Sequence, residues 1–428
     1  MLGHSLTPHQ AADRGWPAPF AFGRERGAPA GAHASALYWA YVVLVIFNIG
    51  SPKAGIEVYG FPLTFGYILL AAAAPIGLVA LISRPTLQAA AIGNFIAYLV
   101  VGLITIYKTL VFGAPISAVL IGLALFIALP MIMLIGLCAH LEYLSERQIG
   151  GILKWCMRFV IAWGIMNFVL YMLFQHIVEI KYVTINAGEV SSVFNKNNRR
   201  GSLMKLISTY NNGNIFGVCM IMLAPVYIYF EKSRAWVVAF LAAIVLSLSR
   251  TTWFGLIAVG GLMVITGQIR VARGYFWIAV AASIALAIVM AAAIGWSSNS
   301  ILDTNLGGRL SQWTGLTISP FGDNAFFIAE ILYAGLLRSF GVIGALIALV
   351  AFLYPIGYAL SRGGQLSMLR RAAAVGCAGY LLAAFFDAAL IYPPVIAIYL
   401  FMSALVYRRG FRLPSGNPLP RAAAASAR

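Results

Sequence analysis

Arginines and acids set into an apolar chain are the residues here with types and spacing suited to chemistry. Arg199 and Arg200 close the polar run Asn195 to Arg200 (NKNNRR), Arg250 separates two apolar runs, and Arg309 and Arg338 lie around a second polar stretch. A planar guanidinium grips phosphate oxygens through paired N–H donors, so these positions suit an anionic ligand. A solvated basic loop is the plain alternative, and Lys181 fits it. Arg250 buried at mid-bilayer would cost about 2.5 to 3.5 kcal/mol, which puts it at a hairpin tip or against a polar cavity. The segment Tyr210 to Asn214 leads into an apolar helix, where its amides either cradle an anion or form an ordinary turn and cap.

The acids are fewer. Asp323, in the turn-like Ser319 to Asn324, reads as a helix cap or as a base. Glu330, Ala334 and Arg338 recur every fourth residue, which predicts one helical stripe with acid and base about 12 Å apart. Asp387 ends an apolar run, and an ionisable group at that depth is either functional or a structural residue of the interface. There is no DxD, HExxH, P-loop or GxSxG pattern, and His140 and His176 stand apart from any ligand cluster. The expected chemistry therefore needs no metal and no cofactor.

These residues must be positioned by membrane helices. Of 428 residues, 61% are hydrophobic and 10% charged, against roughly a quarter charged in soluble domains. The fold class expected is all-α: a polytopic transmembrane bundle of about twelve spans with two larger loops on the outer side. Candidate spans lie near 35–50, 62–83, 88–108, 113–138, 150–174, 214–230, 235–249, 251–267, 274–295, 341–360, 372–388 and 391–407. The transmembrane domain is expected over 35–410, with loops 175–213 and 296–329, a flexible tail over 1–34 and another over 411–428. Cys138, Cys156, Cys219 and Cys377 all fall inside apolar runs, which suggests neither disulfides nor zinc.

Lys and Arg accumulate on the cytoplasmic side of inner-membrane proteins. With both termini cytoplasmic, most of the 29 basic residues obey that rule. Lys181, Lys196, Arg199, Arg200, Lys205, Arg250, Arg309 and Arg338 are among those that break it. Insertion topology also accounts for the net charge of +17, so nucleic acid is not an expected partner.

In order along the chain, Thr209 to Gly217 (TYNNGNIFG), Leu246 to Gly255 (LSLSRTTWFG), Leu306 to Trp313 (LGGRLSQW) and Glu330 to Gly344 (EILYAGLLRSFGVIG) resemble the O-antigen polymerase and ligase family of bacterial envelope glycosyltransferases. The resemblance covers about 191–344. It implies an inner-membrane enzyme whose periplasmic face takes a glycan from an undecaprenyl-diphosphate carrier and joins it to an acceptor. The partners implied are that lipid-linked donor and acceptor, membrane lipid and a chain-length regulator protein. Arg199, Arg200, Arg250 and Arg309 stand where the family's loop arginines engage the lipid diphosphate, with Arg338 facing the same cavity. Ligases of the family carry a His ahead of a Gly in the second loop, where this chain has Glu330 ahead of Gly341. That departure favours a polymerase of O-antigen, capsule or exopolysaccharide, with Glu330 as the proton acceptor and Asp323 as the alternative.

Overall fold

The computed structural model describes residues 32–58, 61–72, 75, 89–113, 116–184, 198–200, 203–269, 274–295, 309–316, 318–322, 330–387 and 393–409. The expected tail over 411–428, residues 1–31 of the other, and most of the expected loop 296–329 lie outside them, whereas most of the expected loop 175–213 is described, and helix already begins at Ala32 inside the expected tail 1–34. Within the described residues the chain is helical apart from two short ribbons. The helices are α1 (Ala32–Val45), α2 (Ala89–Val111), α3 (Ile116–Leu123), α4 (Cys138–Leu141), α5 (Glu146–Phe174), α6 (Gly213–Phe230), α7 (Arg234–Leu246), α8 (Arg250–Ile265), α9 (Gly274–Ile294), α10 (Leu310–Thr314), α11 (Leu332–Arg362), α12 (Met368–Ala383) and α13 (Pro393–Tyr407). The ribbons pair β1 (Gly55–Val58) with β2 (Phe61–Thr64), and β3 (Arg199–Arg200) with β4 (Leu203–Met204), both antiparallel.

Five helical stretches are long and apolar enough to cross a membrane: Ala89–Val111, Ala118–Leu141, Glu146–Phe174, Gly213–Phe230 and Leu332–Gln365. The segments expected at 35–50, 235–249, 251–267, 274–295 and 391–407 contain shorter apolar helices, and the one expected at 372–388 is the 16-residue helix Met368–Ala383, which opens with Arg370 and Arg371 in its first turn. The span expected from 62 opens as β2, whose Phe61–Thr64 register against Gly55–Val58 occupies those backbone groups, and most of the rest lies outside the described residues. The hairpin expected around Arg250 is present: α7 ends at Leu246, Leu248 turns with a positive φ of 50°, and α8 starts at Arg250.

α6 is the centre of the bundle. It packs against α5, α8, α12 and α13, and nearly all of its side chains are buried. Glycine makes these contacts close: a Cβ on Gly376 of α12 would lie 2.2 Å from the Met222 carbonyl oxygen of α6. Helices in lipid gain from such approach because packing, not water exclusion, holds them together. The outer surface inverts the soluble pattern. Ile96, Leu103 and Leu110 of α2, and Trp155, Phe159 and Leu173 of α5, are all exposed, as expected of a surface solvated by hydrocarbon. This is an all-helical, membrane-embedded protein.

Candidate functional site

The site is built at the N-terminal end of α6. Asn212 caps that helix, its Oδ1 accepting from the Asn214 and Ile215 amides at 2.8 and 3.2 Å. Asn211 before it is left-handed, and the segment is pinned to the bundle: Tyr210 donates its hydroxyl to the Ile49 carbonyl at 2.9 Å and Thr209 to that of Gly50 at 2.8 Å. Asn198, just ahead of β3, accepts from the Lys205 amide on its carbonyl at 2.7 Å and donates its side chain to the Asn211 carbonyl at 3.0 Å. The Tyr210 to Asn214 stretch is thus a pinned cap, buried at Tyr210, Asn211 and Gly213 and half-buried at Asn212 and Asn214.

Those contacts place Lys205. Its side chain is held in the interior, 2% exposed, and its ammonium donates to Asn214 Oδ1 at 3.1 Å. Asn214 and Lys205 lie close enough to Asp387 to favour its charged form. Asp387, in the turn after α12, lies 3.0 Å from an Arg309 guanidinium nitrogen, and Arg309 Nε donates to Glu330 Oε2. Lys205–Asn214 and Asp387–Arg309–Glu330 together form one polar chain, which brings the start of α6, the turn after α12 and the residues ahead of α10 and α11 to one place.

The electrostatics are unequal along it. Burial pushes the Asp387 carboxyl up to about 6, and the opposing pull of Arg309 does not cancel that because Glu330 also repels it. Burial alone would lower the Arg309 guanidinium, yet Asp387 and Glu330 together raise it. Glu330 is the open member, its side chain 60% exposed against 5% for Asp387.

α8 adds a second helix N-terminus to the same end. The Leu206 amide donates to the Leu246 carbonyl at 2.8 Å, and a Cβ on Gly217 of α6 would collide with the Thr252 side chain. The first turns of α6 and α8 are thus side by side, with Arg250 the first residue of α8 and half-buried. A cation at a helix N-terminus works against the macrodipole, and an anion bound there would relieve both.

Of the residues singled out by sequence, Arg309 and Glu330 are in direct contact and Arg250 lies at the same end of the bundle. Arg199 does not join the polar chain. It is exposed on β3, with its guanidinium 5.9 Å from the centre of the Tyr171 ring. Arg200 pairs with Leu203 through its backbone in the same ribbon; its side chain, and all of Asp323, lie outside the described residues. The stripe expected of Glu330, Ala334 and Arg338 does not form. α11 begins at Leu332 with Glu330 ahead of it, Ala334 is buried and Arg338 is exposed. Asp387 is the residue whose place in the site the sequence did not give: its depth marked it, but nothing in spacing tied it to Arg309.

No protein-family model matches the chain, and no curated protein sequence matches it. Chemically, the arrangement offers a guanidinium shared by two carboxylates, one buried and one open, beside two helix N-termini, a buried ammonium and a second arginine. Such a surface can bind an anion at Arg309 and leave Glu330 to take a proton.

Proposed function

We propose that this chain is a membrane glycosyltransferase that polymerises undecaprenyl-diphosphate-linked oligosaccharide repeat units on the periplasmic face of the bacterial inner membrane. The observation that carries the reading is the meeting of the two motif-bearing loop regions at Asp387. Arg309 and Glu330 come from one, Lys205 and Asn214 from the other, and Arg250 lies alongside.

In this reading the donor diphosphate lies across the N-terminal ends of α6 and α8, against Arg250 and Arg309. Negative charge grows on the diphosphate as the anomeric C–O bond breaks, and fixed guanidinium groups stabilise it. The leaving electron pair departs with the diphosphate. The acceptor sugar hydroxyl forms the new bond to the anomeric carbon and gives its proton to Glu330. Binding of the diphosphate to Arg309 competes with the Arg309–Glu330 contact, which frees Glu330 as the donor arrives. Asp387, behind Arg309, orients the guanidinium.

The test is a reconstitution. Purified protein in liposomes, given undecaprenyl-diphosphate oligosaccharide, should lengthen the lipid-linked glycan in steps of one repeat. Translocation without a new glycosidic bond would make the protein a transporter, and transfer only to a lipid A core would make it a ligase. Reporter tags at Asn195 and Asn299 should read periplasmic, and tags at Gly364 and the C-terminus cytoplasmic. A cytoplasmic result at either loop would remove the site from the face where the substrate is.

A further inference from the structure

We propose that Lys108 is a positioning residue that fixes the helix leading from Glu330. The proposal rests on the Arg309–Glu330 site described above.

Lys108 lies in the last turn of α2 and is 7% exposed. A buried ammonium is costly unless its donors are met. Here Nζ donates to the carbonyl oxygens of Phe321 at 2.7 Å, Gly322 at 3.0 Å and Ser339 at 2.5 Å, so three N–H donors meet three acceptors.

Those acceptors define what the lysine does. α11 is two helices joined at Gly341, which has φ 65° and ψ −170°. Ser339 lies at the C-terminal end of the first half, Leu332–Phe340, where unpaired carbonyls and the negative end of the helix dipole favour a cation. The second half, starting at Val342, is capped from the Ser319–Gly322 turn. Val342 donates its amide to the Ser319 carbonyl at 3.0 Å and Ile343 to that of Pro320 at 3.1 Å. The turn is wedged in by two left-handed glycines: a Cβ on Gly341 would lie 2.3 Å from the Gly322 nitrogen, and one on Gly322 would lie 2.7 Å from Lys108 Nζ. The ammonium therefore ties together α2, the turn and the break.

The first half of α11 is held at its other end by Tyr333, whose hydroxyl donates to the Leu381 carbonyl at 2.7 Å, and by the Ile331 amide, which donates to Gln312 Oε1 at 3.1 Å. Glu330 precedes Ile331. Freed at the Ser339 end, this half-helix pivots about Tyr333 and moves Glu330 relative to Arg309.

The test compares wild type, Lys108→Met and Lys108→Arg in nanodiscs, using amide hydrogen exchange and elongation kinetics. In the Met variant, exchange over 331–343 should rise on the order of tenfold or more as these bonds are lost, while α6 stays protected. The Arg variant, which keeps the donors, should recover part of that protection. Elongation by the Met variant should lose about ten- to a hundredfold in kcat with KM for the lipid-linked donor unchanged, since displacement by an ångström costs that much. Unchanged exchange over 331–343, or a rise spread equally over the whole bundle, would overturn the proposal. So would raised local exchange with wild-type kcat. If wild type elongates nothing, the polymerase reading fails on that result alone, and the exchange measurements still decide the clamp.

Discussion

α6 carries an ion cluster at each end, and the two behave in opposite ways. At its C-terminal end Arg158 of α5 and Glu231 form a bidentate pair, both contacts at 2.8 Å. Glu231 also accepts from the Ser233 amide at 2.7 Å and the Tyr227 hydroxyl at 3.3 Å, and Trp155 and Trp236 stack on the guanidinium at 5.0 and 5.2 Å. Burial would raise the Glu231 carboxyl, but these bonds outweigh it and hold the group below its ordinary value. At the N-terminal end one guanidinium is divided between Asp387 and Glu330, and Asp387 is pushed up to about 6. The same ion types thus make a closed pair at one end and a shared cluster with one open carboxylate, Glu330, at the other. A perturbed acid paired with a specific charge marks a candidate functional site.

The largest expected effect lies at the open end. Glu330→Gln keeps the shape of the side chain but cannot accept a proton, so elongation should fall about a hundred- to ten-thousandfold while donor binding survives. Elongation at the wild-type rate in that variant would move the base elsewhere, with Asp323 the next carboxylate to test through Asp323→Asn.

pH separates the two ends more gradually. Asp387 sits above its unfolded value, so its stabilising contribution is complete below about pH 4 and is lost as pH rises through about 6. Glu231 sits below its unfolded value, so its contribution is present at neutral pH and is lost on acidification. Asp387→Asn should therefore be more heat-stable than wild type at pH 8, with the gap closing towards pH 5. Glu231→Gln should be less stable at pH 7, with its gap closing in acid. Elongation, which needs the charged Asp387 behind Arg309, should fall as pH drops through about 6. Thermal midpoints and rates across this range check both signs; equal pH slopes in the two variants would erase the contrast.

The smallest effect is at the cap. Asn212→Ala removes the acceptor for two amides and should cost roughly 1 kcal/mol, measured as a modest fall in thermal midpoint. A complete loss of folding would mean that the cap holds more of the bundle than α6.

Helices were legible because apolar runs of span length have few other folds open to them: α2, α5, α6 and α13 fall within a few residues of expectation. The ribbon at Phe61–Thr64 was hidden because a short apolar strand and the start of an apolar helix look alike in sequence. Arg309 and Glu330 were visible as cations and acids out of place. Their contact was not, because the four-residue spacing of Glu330, Ala334 and Arg338 implies a helix through Glu330, and that helix begins two residues later. Asp387 and Lys108 were harder still. Each acts through a partner far along the chain, Arg309 for one and the Ser319–Gly322 turn for the other, and no local spacing encodes such a meeting.

In the proposed mechanism the α6 N-terminal cluster does chemistry while the C-terminal cluster holds structure. Arg309→Ala and Arg158→Ala, purified side by side, test it in one experiment that reads elongation rate and thermal midpoint together. Arg309→Ala should lose about a hundred- to a thousandfold in rate per folded molecule; it too strands a buried carboxylate, Asp387, so its midpoint should also fall. Arg158→Ala should lose about 3 kcal/mol of stability, since it strands a buried carboxylate, and elongate normally per folded molecule. Normal elongation by Arg309→Ala, or a dead but fully stable Arg158→Ala, would overturn this division of labour.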